Sequence, residues 1–176
     1  MTSSNMTSTF TLRPLAATDA DWIFDACQDP EIQKWTQVPR PYTREHAVGF
    51  ATTKSGDVEV WVIESDRPVG VIGVHSINPV TRIADIGYWS APWGRRKGAM
   101  KNGLHQFLAK ASSSPDIAFV QATIAENNLA SRATAEAVGF ALLGPSERGC
   151  NCGGEVVEAV IYEFTLKETA SIPFLA

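Results

Sequence analysis

Residues 86–100 read IGYWSAPWGRRKGAM and contain the pattern that decides the fold. A strand pattern covers residues 82–89, a Pro/Gly turn follows it, and a helical period begins at residue 97. The apolar residues of that helix share one face: Met100, Leu104, Phe107 and Leu108. The stretch therefore predicts a strand, a tight turn and a helix that ends near residue 112.

The turn between this strand and this helix is strongly basic. Arg95, Arg96, Lys97 and Lys101 place four of the fifteen basic residues within seven positions. The first N–H groups of a helix have no partner inside it, and the helix dipole puts positive charge at the same end. Free N–H groups and cationic side chains together suit a phosphate group. A solvated basic turn has the same composition, so the spacing alone leaves both interpretations open.

The rest of the chain predicts a mixed order of helices and strands. Further strand patterns cover residues 9–15, 58–64, 69–77, 117–124, 140–143 and 156–166. Helix patterns begin at Asp19, Pro30 and Thr43, and another covers residues 128–138 and stops at Gly139. Thr43 is expected to cap its helix without a capping box, because the third residue after it is His46 and not Glu or Gln. Antiparallel hairpins followed by strand–helix–strand–helix are typical of an α/β domain.

The composition excludes several classes of protein. The chain has 176 residues, of which 44% are hydrophobic and 19% charged, as expected for one globular domain with a packed core. Its net charge of −4 repels a polyanion, so we expect no nucleic acid as partner. No apolar run approaches the about 18 residues that a membrane span requires, and residues 1–9 lack the features of a signal peptide. We therefore expect a cytoplasmic protein without a membrane partner.

The three cysteines, Cys27, Cys150 and Cys152, are an odd number with two of them close together, which is a poor disulfide framework. Reduced thiols fit better. The segment CNCGG (150–154) is either half of a metal site or a Gly-rich turn with two inert thiols. No second Cys/His pair accompanies it, so the sequence predicts the turn and no metal.

The basic turn resembles the acetyl-CoA signature of the GNAT N-acetyltransferases, R/Q-x-x-G-x-G/A. Arg95 and Gly98 match the signature, whereas Met100 stands where the family has Gly or Ala, and Arg96 where Gly is frequent. In the family this segment surrounds the pyrophosphate of acetyl-CoA, so the resemblance implies acetyl-CoA as co-substrate. It implies these cofactor-binding residues: Tyr88, Trp89, Arg95, Arg96, Lys97, Gly98, Ala99, Met100, Asn128 and Ser131.

A second segment, NLASRATAEAVGF (128–140), resembles the N-x-x-S…G-F segment of the RimJ/RimL-like branch, which includes ribosomal-protein N-terminal acetyltransferases. Three more stretches look like that branch: residues 12–15, 35–43 and 86–89. The resemblance covers residues 8–166 as one domain, with flexible tails expected at 1–7 and 167–176. It implies a GNAT fold, with a central, mostly antiparallel twisted sheet flanked by helices. A splayed parallel pair of strands would admit the pantetheine arm.

The resemblance also implies three candidate catalytic residues, Asp85, Ser131 and Asn128. An alkylammonium holds its proton up to about pH 10.4, so acetyl transfer to it needs a base. Asp85, where many relatives look to have Glu, is that base or a strand acid that orders its neighbours. Ala135 replaces the usual Tyr acid, and Ser131 is either the proton donor to the leaving thiolate or a helix-start residue with a local backbone bond. Asn128 is expected to bind the pantetheine amide or cap its helix.

The expected reaction moves an acetyl group from acetyl-CoA to a primary amine, either a protein N-terminus or a small molecule. Direct transfer in a ternary complex is expected because no Cys lies in the motifs, and a backbone N–H within residues 86–89 would polarise the thioester carbonyl. The alternatives are a catalytically silent CoA-binding sensor or scaffold, and a transferase for succinyl or another acyl group. The sequence leaves open whether the protein forms a homodimer. Several residues either line the acceptor side or have no such role: Trp22, Trp35, Tyr42, Trp61 and His75.

Overall fold

The computed structural model describes residues 9–53 and 59–166. Nine strands lie in this part of the chain: β1 (Thr11–Pro14), β2 (Val60–Glu64), β3 (Pro68–Ile77), β4 (Ile83–Ser90), β5 (Phe119–Ala125), β6 (Ala141–Pro145), β7 (Cys150–Cys152), β8 (Glu155–Val157) and β9 (Ala159–Thr165). The helices are α1 (Ala20–Ala26), α2 (Pro30–Trp35), α3 (Arg44–Thr52), α4 (Ala99–Ala111) and α5 (Leu129–Val138). The predicted tails, residue 8 and Val58 lie outside the described residues.

Seven strands form one sheet in the order β1-β2-β3-β4-β5-β9-β6, and β7 and β8 form a separate hairpin. Within the described residues, β4 and β5 pair in parallel and the other neighbours are antiparallel. The parallel register begins at Ile83 with Phe119 and ends at Asp85 with Gln121. β4 then continues to Ser90 without a partner in β5, so the two strands diverge. The predicted mostly antiparallel sheet with a splayed parallel pair is confirmed.

The two faces of the sheet are covered by different helices. The larger buried cluster joins the sheet to α4 and α5, and the predicted apolar face of α4 is buried in it. A second cluster packs α1, α2 and α3 around Ile23 and Tyr42. Side chains alternate between the faces of a strand, so Ile86 and Tyr88 belong to the first cluster and Trp89 to the second. Full burial of each large apolar side chain contributes about 1.5–3 kcal/mol.

Asp19, at the start of α1, is a buried charge with 2% of its surface exposed. It accepts hydrogen bonds from Ala16 N–H, Trp22 Nε1–H and Arg13, at 2.7–2.8 Å. Burial by itself would raise the pKa of Asp19, but these hydrogen bonds, above all those from Arg13, hold it below its usual value. The residue therefore stays ionised and fastens α1 to β1.

The start of α3 departs from the prediction. Thr43 Oγ1 accepts from His46 N–H at 3.4 Å, and His46 Nδ1 accepts from Thr43 N–H at 3.1 Å. The expectation that no capping box forms is wrong, because an imidazole nitrogen without a proton is an acceptor as a Glu oxygen is.

The C-terminal strands also depart from the prediction. The predicted strand at residues 156–166 is divided between β8 and β9, and the predicted turn around the two thiols is a hairpin whose first strand contains both cysteines. Gly153 and Gly154 have φ of 66° and 84°, the conformation that a two-residue hairpin turn requires. The turn is therefore these two glycines alone.

Candidate functional site

The opening between β4 and β5 is edged by backbone polar groups. Ala91 N–H bonds to Val69 O at 2.9 Å, so the odd-numbered residues of β4 direct their backbone groups towards β3. The even-numbered residues direct theirs towards β5, and the amides of Tyr88 and Ser90 lie beyond the last parallel pair. An unpaired strand edge of this kind favours an extended ligand that carries amide groups.

The open end of β4 leads into the start of α4. A 3₁₀ turn at Pro92–Gly94 lies so close to β3 that a Cβ on Gly94 would collide with the carbonyl of Val69. Gly98 is the N-cap of α4 with φ of 74°, and its carbonyl accepts from Asn102 N–H at 3.0 Å. The amides of residues 99–101 precede that first bond and have no acceptor within the helix. They form a cradle suited to an anion.

The predicted basic patch divides into two parts. The side chains of Arg96, Lys97 and Lys101 are exposed near the cradle, and none of the ion pairs among the described residues includes them. Arg95 instead pairs with Asp29, which caps α2 through Ile32 N–H at 3.1 Å. Burial opposes ionisation of Asp29, but Arg95 and the Ile32 amide hold the pKa of that carboxyl below its usual value.

The two departures from the family signature have structural explanations. Arg96 has φ of 59°, in the left-handed region that favours glycine, which is why Gly is frequent there. Met100 is 8% exposed and directs its side chain into the core, where its Cε faces Gly70. Its side chain therefore does not cover the amide cradle.

The first turn of α5 brings Asn128 and Ser131 next to β4. Asn128 Oδ1 accepts from Ser131 N–H at 3.2 Å, so Asn128 caps the helix, as one of its two predicted roles requires. The carbonyl of Ser131 accepts from the Tyr88 hydroxyl at 2.9 Å. None of the hydrogen bonds among the described residues uses the Ser131 hydroxyl. The local backbone bond through Oγ, one of the two alternatives for Ser131, is therefore not seen among those residues.

The side chains of Tyr88 and Trp89 lie on opposite faces of β4. Burial raises the pKa of Tyr88 to about 12, so the phenol stays protonated. Its hydroxyl donates a hydrogen bond to the Ser131 carbonyl. Trp89 packs against Trp22 with 5.7 Å between ring centroids. The backbone groups of Tyr88 face the β4–β5 opening, whereas those of Trp89 face β3.

Asp85 lies at the last parallel pair and faces a histidine. A β-bulge between Val74 and Ser76 turns His75 towards β4, with its Nδ1 3.5 Å from Asp85 Oδ2. The imidazole covers Gly87, where a Cβ would lie 2.7 Å from His75 Cε1. The Asp85 side chain is 43% exposed and is therefore less desolvated than a strand position suggests.

A cavity of about 670 Å³ lies at the far end of β5, and no sequence motif indicates it because its walls come from three separate segments. These are α2 with the loop that follows it, the end of β5 with the β5–α5 loop, and the β7–β8 hairpin with the residue after it. Its polar, aromatic and thiol lining includes Lys34, Trp35, Arg40, Cys152, Glu155 and Glu158. Of the aromatic candidates, Trp35 lines this cavity, whereas Tyr42 belongs to the buried core.

The described part of the chain contains neither a metal-binding cluster nor a membrane-spanning helix. Its residues hold no group of three or more His, Cys, Asp or Glu side chains placed to bind a metal ion. None of its helices is both long and apolar enough to cross a membrane.

Comparison with known proteins agrees with this geometry. The family model "Acetyltransferase (GNAT) domain" matches residues 9–141. A Bacillus subtilis protein named "Putative ribosomal N-acetyltransferase YdaF" is 27% identical over 111 residues, which are 63% of this chain and 61% of that relative. The match therefore spans less than two thirds of the relative's length.

Solved structures share the fold. RimL, a ribosomal L7/L12 alpha-N-protein acetyltransferase in complex with coenzyme A, has a TM-score of 0.77 and 21% identity over 90% of this chain and 94% of its own. Spermidine N-acetyltransferase from Vibrio cholerae, in complex with CoA and spermine, has a TM-score of 0.76 and 16% identity over 89% and 95%. The family model covers most of the chain, and the splayed sheet and amide cradle agree with it. The chain belongs to the GNAT acetyltransferase family.

Proposed function

We propose that the chain transfers an acetyl group from acetyl-CoA to a primary amine, on a protein N-terminus or on a small molecule, directly in a ternary complex. Membership of an acetyltransferase family supports the acetyl transfer. The observation that carries the rest is the continuity of the β4–β5 opening with the amide cradle of α4. A pyrophosphate and an amide-bearing arm find complementary groups there in the order in which CoA carries them.

The donor is held mainly by backbone groups. The amides of residues 99–101 bind the pyrophosphate, and the exposed cations Arg96, Lys97 and Lys101 add charge. The amides of the pantetheine arm bond to the edge of β4 at the Tyr88 carbonyl and at Ser90. Arg95 contributes indirectly, because its ion pair with Asp29 holds the loop before α4 against α2.

The base is Asp85 together with His75. The amine must lose a proton before its nitrogen can attack the thioester carbon, and the two side chains lie next to Gly87 at the start of the opening. A carboxylate beside an imidazole can take that proton and share it across the 3.5 Å contact. The exposure of both groups lets the proton pass on to water.

Charge then develops on the thioester oxygen and on the leaving sulfur. The Tyr88 amide is placed to stabilise the oxygen, since it follows the last parallel pair and faces the opening. As the C–N bond forms and the C–S bond breaks, the Ser131 hydroxyl gives its proton to the thiolate and recovers one from water. The Tyr88 side chain fixes this helix turn through the Ser131 carbonyl.

The acceptor enters from the cavity at the end of β5. Its wall combines Glu155 and Glu158, which attract an ammonium group, with Lys34 and Arg40. Cys152 also lines the cavity, but burial raises its pKa to about 12 and leaves it 5% exposed, which makes it a poor nucleophile. This supports direct transfer without an acyl-enzyme.

The decisive experiment measures CoA release from acetyl-CoA across a panel of amines with a thiol reagent, and identifies each product by mass spectrometry. The panel contains a peptide with the free N-terminus of ribosomal L7/L12, spermidine and an amino sugar. Acetylation of one amine class with a matching release of CoA is the expected result. CoA binding without turnover on any amine would favour the silent sensor, and faster turnover with succinyl-CoA would favour the other acyl group.

Donor binding is tested by calorimetric titration with CoA, dephospho-CoA and pantetheine. The cradle predicts that CoA binds at least tenfold more tightly than pantetheine, and that Gly98→Glu removes this difference by placing a carboxylate at the cradle. Equal affinities for the three compounds would exclude the pyrophosphate assignment.

Two further parts of the proposal concern the cellular location and the oligomeric state of the protein. Its cytoplasmic location rests on the sequence and is tested by cell fractionation. Its association into a homodimer is tested by sedimentation, in which a mass near the 19.0 kDa of one chain would exclude it.

A further inference from the structure

The hairpin thiols Cys150 and Cys152 form a close pair. They stand two residues apart in β7, so both side chains project from the same face of the strand. Their sulfur atoms lie 3.0 Å apart, and an S–S bond needs about 2.05 Å. Cys150 is partly exposed, whereas Cys152 is buried at 5%. Cys27 is 1% exposed in the cluster under α1 and has no sulfur neighbour among the described residues.

The same hairpin is attached to α2 beside these thiols. Cys152 Sγ–H donates to the Trp35 carbonyl at 3.5 Å, and Gly153 N–H donates to the Thr36 carbonyl at 3.1 Å. The Arg40 guanidinium lies against the hairpin turn and donates to carbonyls at the end of α2. Trp35, Arg40 and Cys152 all line the cavity at the end of β5, so the Cys152 thiol forms part of its wall.

We propose that Cys150 and Cys152 are a redox modification site that a hydroperoxide oxidises to an intramolecular disulfide, and that this bond loosens the β7–β8 hairpin from α2. The partly exposed Cys150 attacks the peroxide oxygen as a thiolate and becomes a sulfenic acid, and one water is released. Although Cys152 is a poor nucleophile towards a diffusing partner, its sulfur is held 3.0 Å from Cys150 Sγ; it displaces the second oxygen, which leaves as water with the Cys152 proton. In total two thiols lose two hydrogens and two electrons, and hydrogen peroxide becomes two waters.

The structural consequence follows from the lost hydrogen. A disulfide sulfur cannot donate, so the Trp35 carbonyl loses its partner, and the shorter S–S distance draws both side chains along β7. The neighbouring bond from Gly153 to Thr36 then opens more often. Since Trp35 and Cys152 line the cavity, oxidation raises the KM for the amine about three- to tenfold and leaves the KM for acetyl-CoA unchanged. This last step rests on the proposed function.

The first test does not depend on activity. The protein is treated with hydrogen peroxide, unfolded, alkylated and weighed without reductant. Wild type is expected to lose two hydrogens and to take one alkyl group, on Cys27. Cys27→Ser should form the disulfide as wild type does, whereas Cys150→Ser and Cys152→Ser should not. Three alkylated cysteines after oxidation, a disulfide-linked dimer, or oxygen adducts in place of the disulfide would each overturn the proposal.

The second test follows hydrogen exchange in oxidised and reduced protein. Amide exchange at Gly153 should become at least threefold faster on oxidation and return with dithiothreitol, while the α4 peptide stays unchanged. Unchanged exchange at the hairpin would contradict the loosening. The KM for the amine consumed in the panel gives the functional readout, and a KM that oxidation leaves unchanged would contradict the effect on the cavity. If no amine is consumed, the mass and exchange results still decide on the disulfide.

Discussion

Replacing Ser131 with Ala separates its two possible roles, because the structure assigns its other contacts to the backbone. The Asn128 cap bonds to Ser131 N–H and the Tyr88 hydroxyl to Ser131 O, and Ala keeps both groups. The hydroxyl itself has no hydrogen bond among the described residues, and Ala has the higher helix propensity, by up to about 0.5 kcal/mol. The expected change in the free energy of unfolding is therefore near zero or slightly stabilising.

The expected change in rate is large. A proton donor to the leaving thiolate acts on the chemical step, and its removal costs about 10²–10⁴ in kcat, or about 2.7–5.4 kcal/mol of barrier. The assay measures kcat for CoA release, the affinity for acetyl-CoA and the Tm of each variant. Ser131→Ala should lower kcat at unchanged affinity and unchanged Tm.

Two variants on the same helix serve as controls. Asn128→Ala removes the cap and should lower the free energy of unfolding by about 1 kcal/mol, or the Tm by about 2–4 °C. Thr134→Ala removes a hydroxyl that, within residues 9–53 and 59–166, bonds only to the Ala130 carbonyl, and it should leave kcat unchanged. A Ser131→Ala enzyme with full kcat would exclude Ser131 as the proton donor, and water would then supply the proton.

Three further predictions concern stability and the amide cradle. Asp19→Asn breaks a buried charge network and should lower the free energy of unfolding, measured in urea, by about 2–4 kcal/mol. Because folding lowers the pKa of Asp19, its contribution to stability is complete above the unfolded pKa near 3.9 and is lost as the pH falls below that value. A variant that loses as much stability as wild type on acidification below pH 4 would contradict this. Arg96→Gly relieves a left-handed φ, and so does its matched control Arg82→Gly at φ of 58°, so the two variants should change the Tm alike. Only Arg96→Gly should weaken CoA binding, by about three- to tenfold in calorimetry. Equal CoA affinity of the two variants would exclude Arg96 from the site. Gly94→Ala should cost about 1–3 kcal/mol through its clash with Val69 and also weaken CoA binding, and an unchanged Tm would show that the loop has room for a methyl group.

Features that depend on neighbouring residues could be predicted from the sequence. The apolar face of α4, the stop of α5 at Gly139 and the basic turn before α4 follow from local period, from φ preference and from composition. The same local signals misplaced the turn at Gly153, because a strand pattern does not mark where a two-residue turn divides it. His46 was missed for a related reason, since the capping rule was applied by residue name and not by acceptor chemistry.

Contacts between groups that are distant in the sequence could not be predicted and depend on the three-dimensional fold. Arg95 has the position of a phosphate ligand in the sequence, yet it lies against Asp29, 66 residues away. His75 reaches Asp85 because a bulge in β3 shifts the register by one residue, and Tyr88 reaches Ser131 because the parallel pair places α5 beside β4. These contacts depend on strand order and register, which are set by the burial of whole faces against each other. The period of a single segment does not contain that information, because each segment is compatible with several partners.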